Sequence, residues 1–286
     1  ETSTWMKGAD KGPDAVMEAS VNLEFYDVET GTEAHLHGIH TTDAVIEKST
    51  PEALVNAVYN RVMSLFREYK FVVVGGNHTV SIGAARAAAH SFEKLSVLQL
   101  DAHSDLRQEY EGSRYNHACA MARIREYAPV VQAGIRSMSA GELEYADSER
   151  IFYAHQLHYD KSLYDKALGL LTENVYITID LDVFDPSLMP STGTPEPGGL
   201  GYYEIMHFLK NVAASRKVVG FDVVSGIGEP LRAQTPGPGL VSAGVIGDVA
   251  TRLDEGGRPA PSGVQYEDIH YGNSVVGVPP AGQRGN

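Results

Sequence analysis

Apolar residues recur along the chain in short, nearly continuous runs rich in β-branched side chains, at 71–74, 95–100, 130–135, 175–179 and 217–221. Runs of this length and composition predict strands covered on both faces. Between them lie stretches with helical spacing, at 51–69, 81–92, 140–145, 161–172 and 201–215. Pro51 follows Ser49 and Thr50, the pattern of a cap residue with proline in the first helical turn. Strands and helices in alternation predict βαβ units, a parallel sheet and a doubly wound α/β fold. From Ser225 the pattern changes: residues 225–286 hold 13 of the 29 glycines and 7 of the 14 prolines. Glycine is entropically costly to order and proline lacks a donor, so beyond one helical stretch at 241–253 this segment reads as loop, including 256–263 and 278–286. The expected division is therefore an α/β domain over 1–224 and a Gly/Pro-rich segment over 225–286.

With 286 residues, 43% hydrophobic and 21% charged, the chain is long enough for a continuous core and has ordinary globular usage. The 37 acidic against 23 basic residues argue against a nucleic-acid surface and favour a cationic ligand. One cysteine, Cys119, allows no intrachain disulfide and suits a reducing compartment. No apolar stretch approaches the roughly 18 to 20 residues that span a bilayer, and residues 1–5 do not read as a signal peptide. The expectation is a soluble, cytoplasmic protein with neither a membrane nor a nucleic-acid partner.

Chemistry concentrates at the carboxyl ends of the predicted strands. Asp101, His103 and Asp105 follow the run at 95–100, and in an extended chain positions i, i+2 and i+4 project from one face. Asp180 and Asp182 form a second period-2 pair after 175–179, and His78 follows 71–74 through Gly75-Gly76-Asn77. A lone acidic pair in such a place is usually a helix cap or a turn. Three groups at one sheet edge, where open α/β sheets place their ligand crevice, point elsewhere. Four carboxylates would repel and desolvate one another unless cations were present, and two divalent ions balance them. Oxygen-rich ligation with a little imidazole suits Mn²⁺, with Zn²⁺, Co²⁺ and Fe²⁺ left open. Paired metals roughly 3.5 to 4 Å apart lower the pKa of a shared water, so the chemistry implied is metal-assisted hydrolysis.

These motifs, with Asp180-Leu181-Asp182-Val183-Phe184-Asp185-Pro186 running on through Gly193-Thr194-Pro195 to Gly198-Gly199, resemble the ureohydrolases, the arginase and agmatinase family. The stretch 109–121 and the early Gly8-Ala9-Asp10-Lys11-Gly12-Pro13 look most like bacterial agmatinases. The resemblance implies a three-layer α/β/α fold, two Mn²⁺ per chain, a homo-oligomer of trimers or hexamers, and hydrolysis of a guanidino group to urea and an amine. It implies that His78, Asp101, Asp105 and Asp180 hold one ion and Asp101, His103, Asp180 and Asp182 the other. His117 falls where the family places a proton shuttle to the leaving amine, and Thr194 and Asn116 are candidate substrate-binding residues. Tyr110, Glu111 and Tyr115 lie in the loop expected to meet the far end of the substrate. That substrate is a small guanidino cation, with agmatine first and arginine or guanidinobutyrate as alternatives.

Three features depart from the family pattern: the Gly/Pro-rich segment 225–286, where the family normally continues with helices that complete one face of the sheet, and two single positions. Asn77 stands where an acid usually precedes the histidine. Ser225 stands where the family has a glutamate that receives the guanidinium in a bidentate fork, a task a hydroxyl cannot perform. Glu229 is the candidate replacement. A family member that binds metal but has lost substrate capture, and a single-metal hydrolase of the related deacetylase group, are the competing readings.

Overall fold

Side chains alternate across each strand, and the two sets of alternate positions bury against different helices. In the computed structural model, which describes residues 8–37, 39–66, 70–224, 245–247 and 275–278, the chain forms in order α1 (Gly12–Ser20), β1 (His40–Thr41), α2 (Pro51–Leu65), β2 (Lys70–Val74), α3 (Thr79–Ser91), β3 (Leu95–Leu100), α4 (Ala120–Ile124), β4 (Val130–Ile135), β5 (Ile151–Tyr153), α5 (Ala154–Tyr159), α6 (Ser162–Gly169), β6 (Asn174–Asp180), α7 (Tyr202–Ser215), β7 (Lys217–Val224) and β8 (Val275–Val278). Val72, Val74, Leu98, Leu100, Ile177 and Ile179 pack on one face against side chains of α1, α5, α6 and α7. Phe71, Val73, Leu95, Val97 and Tyr176 pack on the other against α2, α3 and α4. The result is the expected three-layer α/β/α arrangement, with the strands buried on both faces.

The sheet has eight strands in the order β1-β8-β2-β7-β6-β3-β4-β5. From β2 to β5 all neighbours are parallel, while β8 runs antiparallel to both β2 and β1. After β3 the chain moves outward to β4 and β5; it then returns to lay β6 beside β3 and moves the other way to β7. The strand order therefore reverses between β3 and β6, and a crevice opens beyond their carboxyl ends. Those ends carry Asp101 and Asp180.

Local signals behave as their chemistry requires. The Thr50 hydroxyl accepts from Ala53 N at 3.0 Å and Pro51 opens α2, so the expected cap is present. Helix α2 stops at Leu65, short of the expected 69. The stretch at 140–145 forms only a 3₁₀ turn, Ala140–Glu142, with Glu142 closing a capping box on Ser139. One expectation is overturned in the Gly/Pro-rich segment: Val275–Val278 is a strand, not loop, because its β-branched residues pair with the backbone edge of β2. Residues 245–247 of the expected 241–253 helix are helical; the rest of that helix, and the loops expected at 256–263 and 279–286, lie outside the described residues.

Candidate metal centre

Asp101 is the first residue past β3, and its carboxylate is locked by its own surroundings. Oδ1 accepts from His103 N at 2.6 Å and Oδ2 from Gln99 Nε2 at 2.7 Å. The neighbouring strand is tied in by the same means: Ala102 N donates to Asp182 Oδ1 at 3.0 Å, and Asp182 N to Asp180 Oδ1 at 3.0 Å. Asp105 takes a φ of +52°, a region uncommon for a residue with a side chain and one that Asp tolerates better than most. His78 sits at the amino end of α3. Asn77 Oδ1 accepts there from Thr79 N at 3.1 Å and Thr79 Oγ1 at 2.9 Å, so this departure from the family pattern forms an Asx turn leading into α3. Beside it, Gly76 leaves no room for a side chain, because a Cβ would lie 1.8 Å from the Ala9 carbonyl oxygen. The early Gly8–Pro13 motif and the Gly75-Gly76-Asn77-His78 motif thus meet at one corner of the crevice.

His78 Nδ1 faces three carboxylates: Asp105 at 3.0 Å, Asp101 at 3.1 Å and Asp180 at 3.6 Å. His103 Nδ1 lies 2.9 Å from Asp182 and 3.7 Å from Asp101, and its Nε2 lies 3.8 Å from Glu196. The donor atoms of His78, Asp101 and Asp105 all lie within 4.8 Å of one another, as do those of Asp101, His103 and Asp182. The two groups share Asp101. Five of the six expected ligands fall into them, and Asp180 stands beside the first group as its third carboxylate.

The electrostatics fit a cation. Burial works against charge on His103, but hydrogen bonds with Asp101 and Asp182 outweigh it and push the imidazole from 6.5 up to about 12. Burial also opposes charge on His78, yet Asp101 and Asp105 raise it well above its ordinary value. Burial lifts Asp105 from 3.8 to about 6, against the pull of His78. It lifts Asp182 too, helped by the charge of Asp101. One ring nitrogen carries one proton and serves one acceptor, and the buried His78 Nδ1 makes no well-formed hydrogen bond to any of the three oxygens around it. A divalent ion serves all of them at once, which is the chemistry this donor set suits.

These candidate ligands floor a cavity of about 320 Å³ whose wall also includes Arg107, Tyr110, His117, Ser137, Met138, Glu142 and Thr194. His117 and Thr194 therefore stand in the same cavity as the six acidic and imidazole groups; Thr194 Oγ1 is 3.5 Å from Asp182 Oδ2. Asn116 is not brought to the wall. It is buried, and its carboxamide accepts from Ala118 N at 3.1 Å to cap the turn that carries His117. Glu111 and Tyr115 are likewise absent from the lining. Ser225 and Glu229 lie outside the described residues.

Sequence reading alone missed several supports. Glu142, buried, accepts from Ser104 Oγ at 2.6 Å, Leu106 N at 2.9 Å, Ser139 N at 2.7 Å and Ser139 Oγ at 2.9 Å, joining the Asp105 loop to the loop after β4. Arg136 donates to the carbonyls of Asp182, Phe184 and Glu196 and so holds the loop that carries Thr194. Beneath His78 lies a polar cluster of Ser81, Tyr176, Thr178 and Asp222. The one available signal was the alternation Tyr176, Thr178, Asp180 inside an apolar run.

The sequence pattern of the arginase family matches residues 1–226. The N(1)-aminopropylagmatine ureohydrolase of Synechocystis sp. is 37% identical to this chain over 235 residues, covering 78% of this chain and 77% of its own. The agmatinase of Pyrococcus horikoshii is 34% identical over 238 residues, covering 82% and 83%. The solved structure of the agmatine ureohydrolase of Thermoplasma volcanium superposes with a TM-score of 0.74 at 26% identity, covering 88% of this chain and 86% of that one. The chain belongs to the arginase family. Within it the chain is a hydrolase of the agmatinase-like ureohydrolase group.

Proposed function

We propose that this protein hydrolyses the guanidino group of agmatine to urea and putrescine, using two Mn²⁺ ions held by His78, Asp101, Asp105 and Asp180 and by Asp101, His103, Asp180 and Asp182. The observation that carries the reading is the pair of ligand groups sharing Asp101 on one cavity floor. When bound, the ions supply Lewis acidity and lower the pKa of a water beside the guanidinium carbon. His117, in the wall, carries an imidazole that can act as the general acid delivering a proton to the departing amine. Thr194 offers a hydroxyl beside Asp182 that orients the guanidinium.

The names of relatives favour a second, longer substrate. The N(1)-aminopropylagmatine ureohydrolases of Synechocystis and Thermus thermophilus are each 37% identical to this chain. The decisive experiment is urea release by the Mn²⁺-loaded protein from agmatine, N(1)-aminopropylagmatine, arginine and guanidinobutyrate. Selective turnover of agmatine supports the first reading, and preference for the aminopropyl compound the second. Two bound ions with no turnover of any of the four would overturn both and leave a metal-binding member without substrate capture.

A further inference from the structure

Tyr176, Thr178 and Asp180 alternate along β6 and share one face. Asp222 on β7 is the register partner of Thr178. Tyr176, Thr178, Asp222 and Ser81 are all fully buried. Three hydroxyls converge on the Asp222 carboxylate: Oδ1 accepts from Thr178 Oγ1 at 2.6 Å and Ser81 Oγ at 2.9 Å, and Oδ2 from Tyr176 OH at 2.6 Å. A buried carboxylate is costly unless donors compensate it, and here three hydroxyl donors offset part of that cost.

The chain of bonds has a direction. A hydroxyl has a single hydrogen, and that of Thr178 goes to Asp222, much closer than the alternative acceptor Ser81 Oγ at 3.3 Å. Toward His78, Thr178 Oγ1 is therefore an acceptor, and His78 Nε2 at 2.9 Å must be the donor. With the ring hydrogen held on Nε2, the lone pair of a neutral His78 belongs to Nδ1. That is the nitrogen 3.0 to 3.6 Å from Asp105, Asp101 and Asp180.

We propose that Asp222 is a positioning residue which, through Thr178, fixes the tautomer and ring orientation of His78 and so presents Nδ1 as a metal ligand. The proposal rests on the two-metal reading above. Partners of this kind behind a ligand histidine typically change metal affinity by about 10- to 100-fold when removed. Asp222 touches no reacting atom, so its effect must pass through His78.

The test is Mn²⁺ binding, measured by titration calorimetry at fixed pH, on the parent and on Thr178→Val, Thr178→Ser and Asp222→Asn, with far-UV circular dichroism to confirm folding. Thr178→Val and Asp222→Asn are expected to weaken one of the two ions by about 10- to 100-fold and to leave the other nearly unchanged. Thr178→Ser keeps the hydroxyl and is expected to bind like the parent. Should Thr178→Val not fold, Tyr176→Phe, which removes one donor to Asp222 and keeps the ring, takes its place with a smaller loss expected at the same ion. Parent-like binding in the folded valine and asparagine variants overturns the proposal. Equal weakening by serine and valine does so too, since it would mark a packing effect. If the parent itself takes up no Mn²⁺, the two-metal reading fails first; if it takes up two and the variants match it, only the role of Asp222 falls.

Discussion

His78 and His103 both face Asp101, but from unlike surroundings. His78 is buried among three carboxylates and is backed by Thr178 and Asp222. His103 is 24% exposed at the cavity wall, and its outer nitrogen looks toward the half-exposed Glu196 at 3.8 Å. The same side-chain type is thus held in one half by a buried network of hydroxyls and in the other by backbone turns and a rim acid. Rigidity in the first half comes from burial, so removing any part leaves uncompensated polar groups; water can stand in for what is removed from the second.

Substitution of the shared residue should erase the difference. Asp101→Asn is expected to abolish uptake of both ions and to lower urea release by at least about 10³-fold; retention of one tightly held ion would show that the halves are independent. His117→Ala is expected to lower kcat by about 10² to 10⁴-fold while leaving metal content unchanged, which separates proton delivery from ligation. The two histidines should then part company in stability. His78→Asn removes the partner of three buried carboxylates and is expected to destabilise the metal-free protein by about 3 to 5 kcal/mol, read by denaturant unfolding. His103→Asn should cost less, because its ring is partly exposed and water can reach part of what it leaves behind.

Smaller effects follow from protonation. In the metal-free protein Asp105 is lifted from 3.8 to about 6, so stability is lost as pH rises through that window. His103 is lifted from 6.5 to about 12, so its ion pairs stabilise fully below 6.5 and are lost as pH climbs toward 12. Both slopes have the same sign, so these two groups lower the stability of the metal-free protein as pH rises, while carboxyls held below their ordinary values, Asp101 and Glu142 among them, act the other way in acid. Mn²⁺ must displace the protons on both imidazoles, so its affinity should rise with pH, and calorimetry in buffers of different ionisation enthalpy should detect about two protons released per chain near neutrality. Glu196→Gln should change Mn²⁺ affinity least, by no more than about threefold, as expected for an exposed pairing.

The halves also differ in how far the sequence reveals them. Asp101, His103, Asp105, Asp180 and Asp182 were legible because polar residues at period 2 directly after apolar runs can only gather at strand ends, and the chain order puts those ends together. The backing of His78 was not. Thr178 and Asp222 are single polar residues inside two apolar runs, and their contact depends on strand register across 44 residues. Glu142 reaches Ser104 across 38 residues for the same reason. Asn116 shows how a polar residue can carry two meanings: an amide beside His117 suggests a substrate contact, and in the fold its carboxamide caps the turn that carries His117. In the fold, the main strands and helices could be read from periodicity. Short pieces such as α4, β5, α5 and β8 could not, because their length gives no full period and their form is set by what they pack against.

The most direct test is the Mn²⁺ content of the purified, Mn²⁺-equilibrated protein after removal of free ion, determined by elemental analysis against protein concentration. Two ions per chain in the parent, and none in Asp101→Asn, are the expected results. One ion per chain, or none, in a folded parent would contradict a site built as two ligand groups around a shared carboxylate.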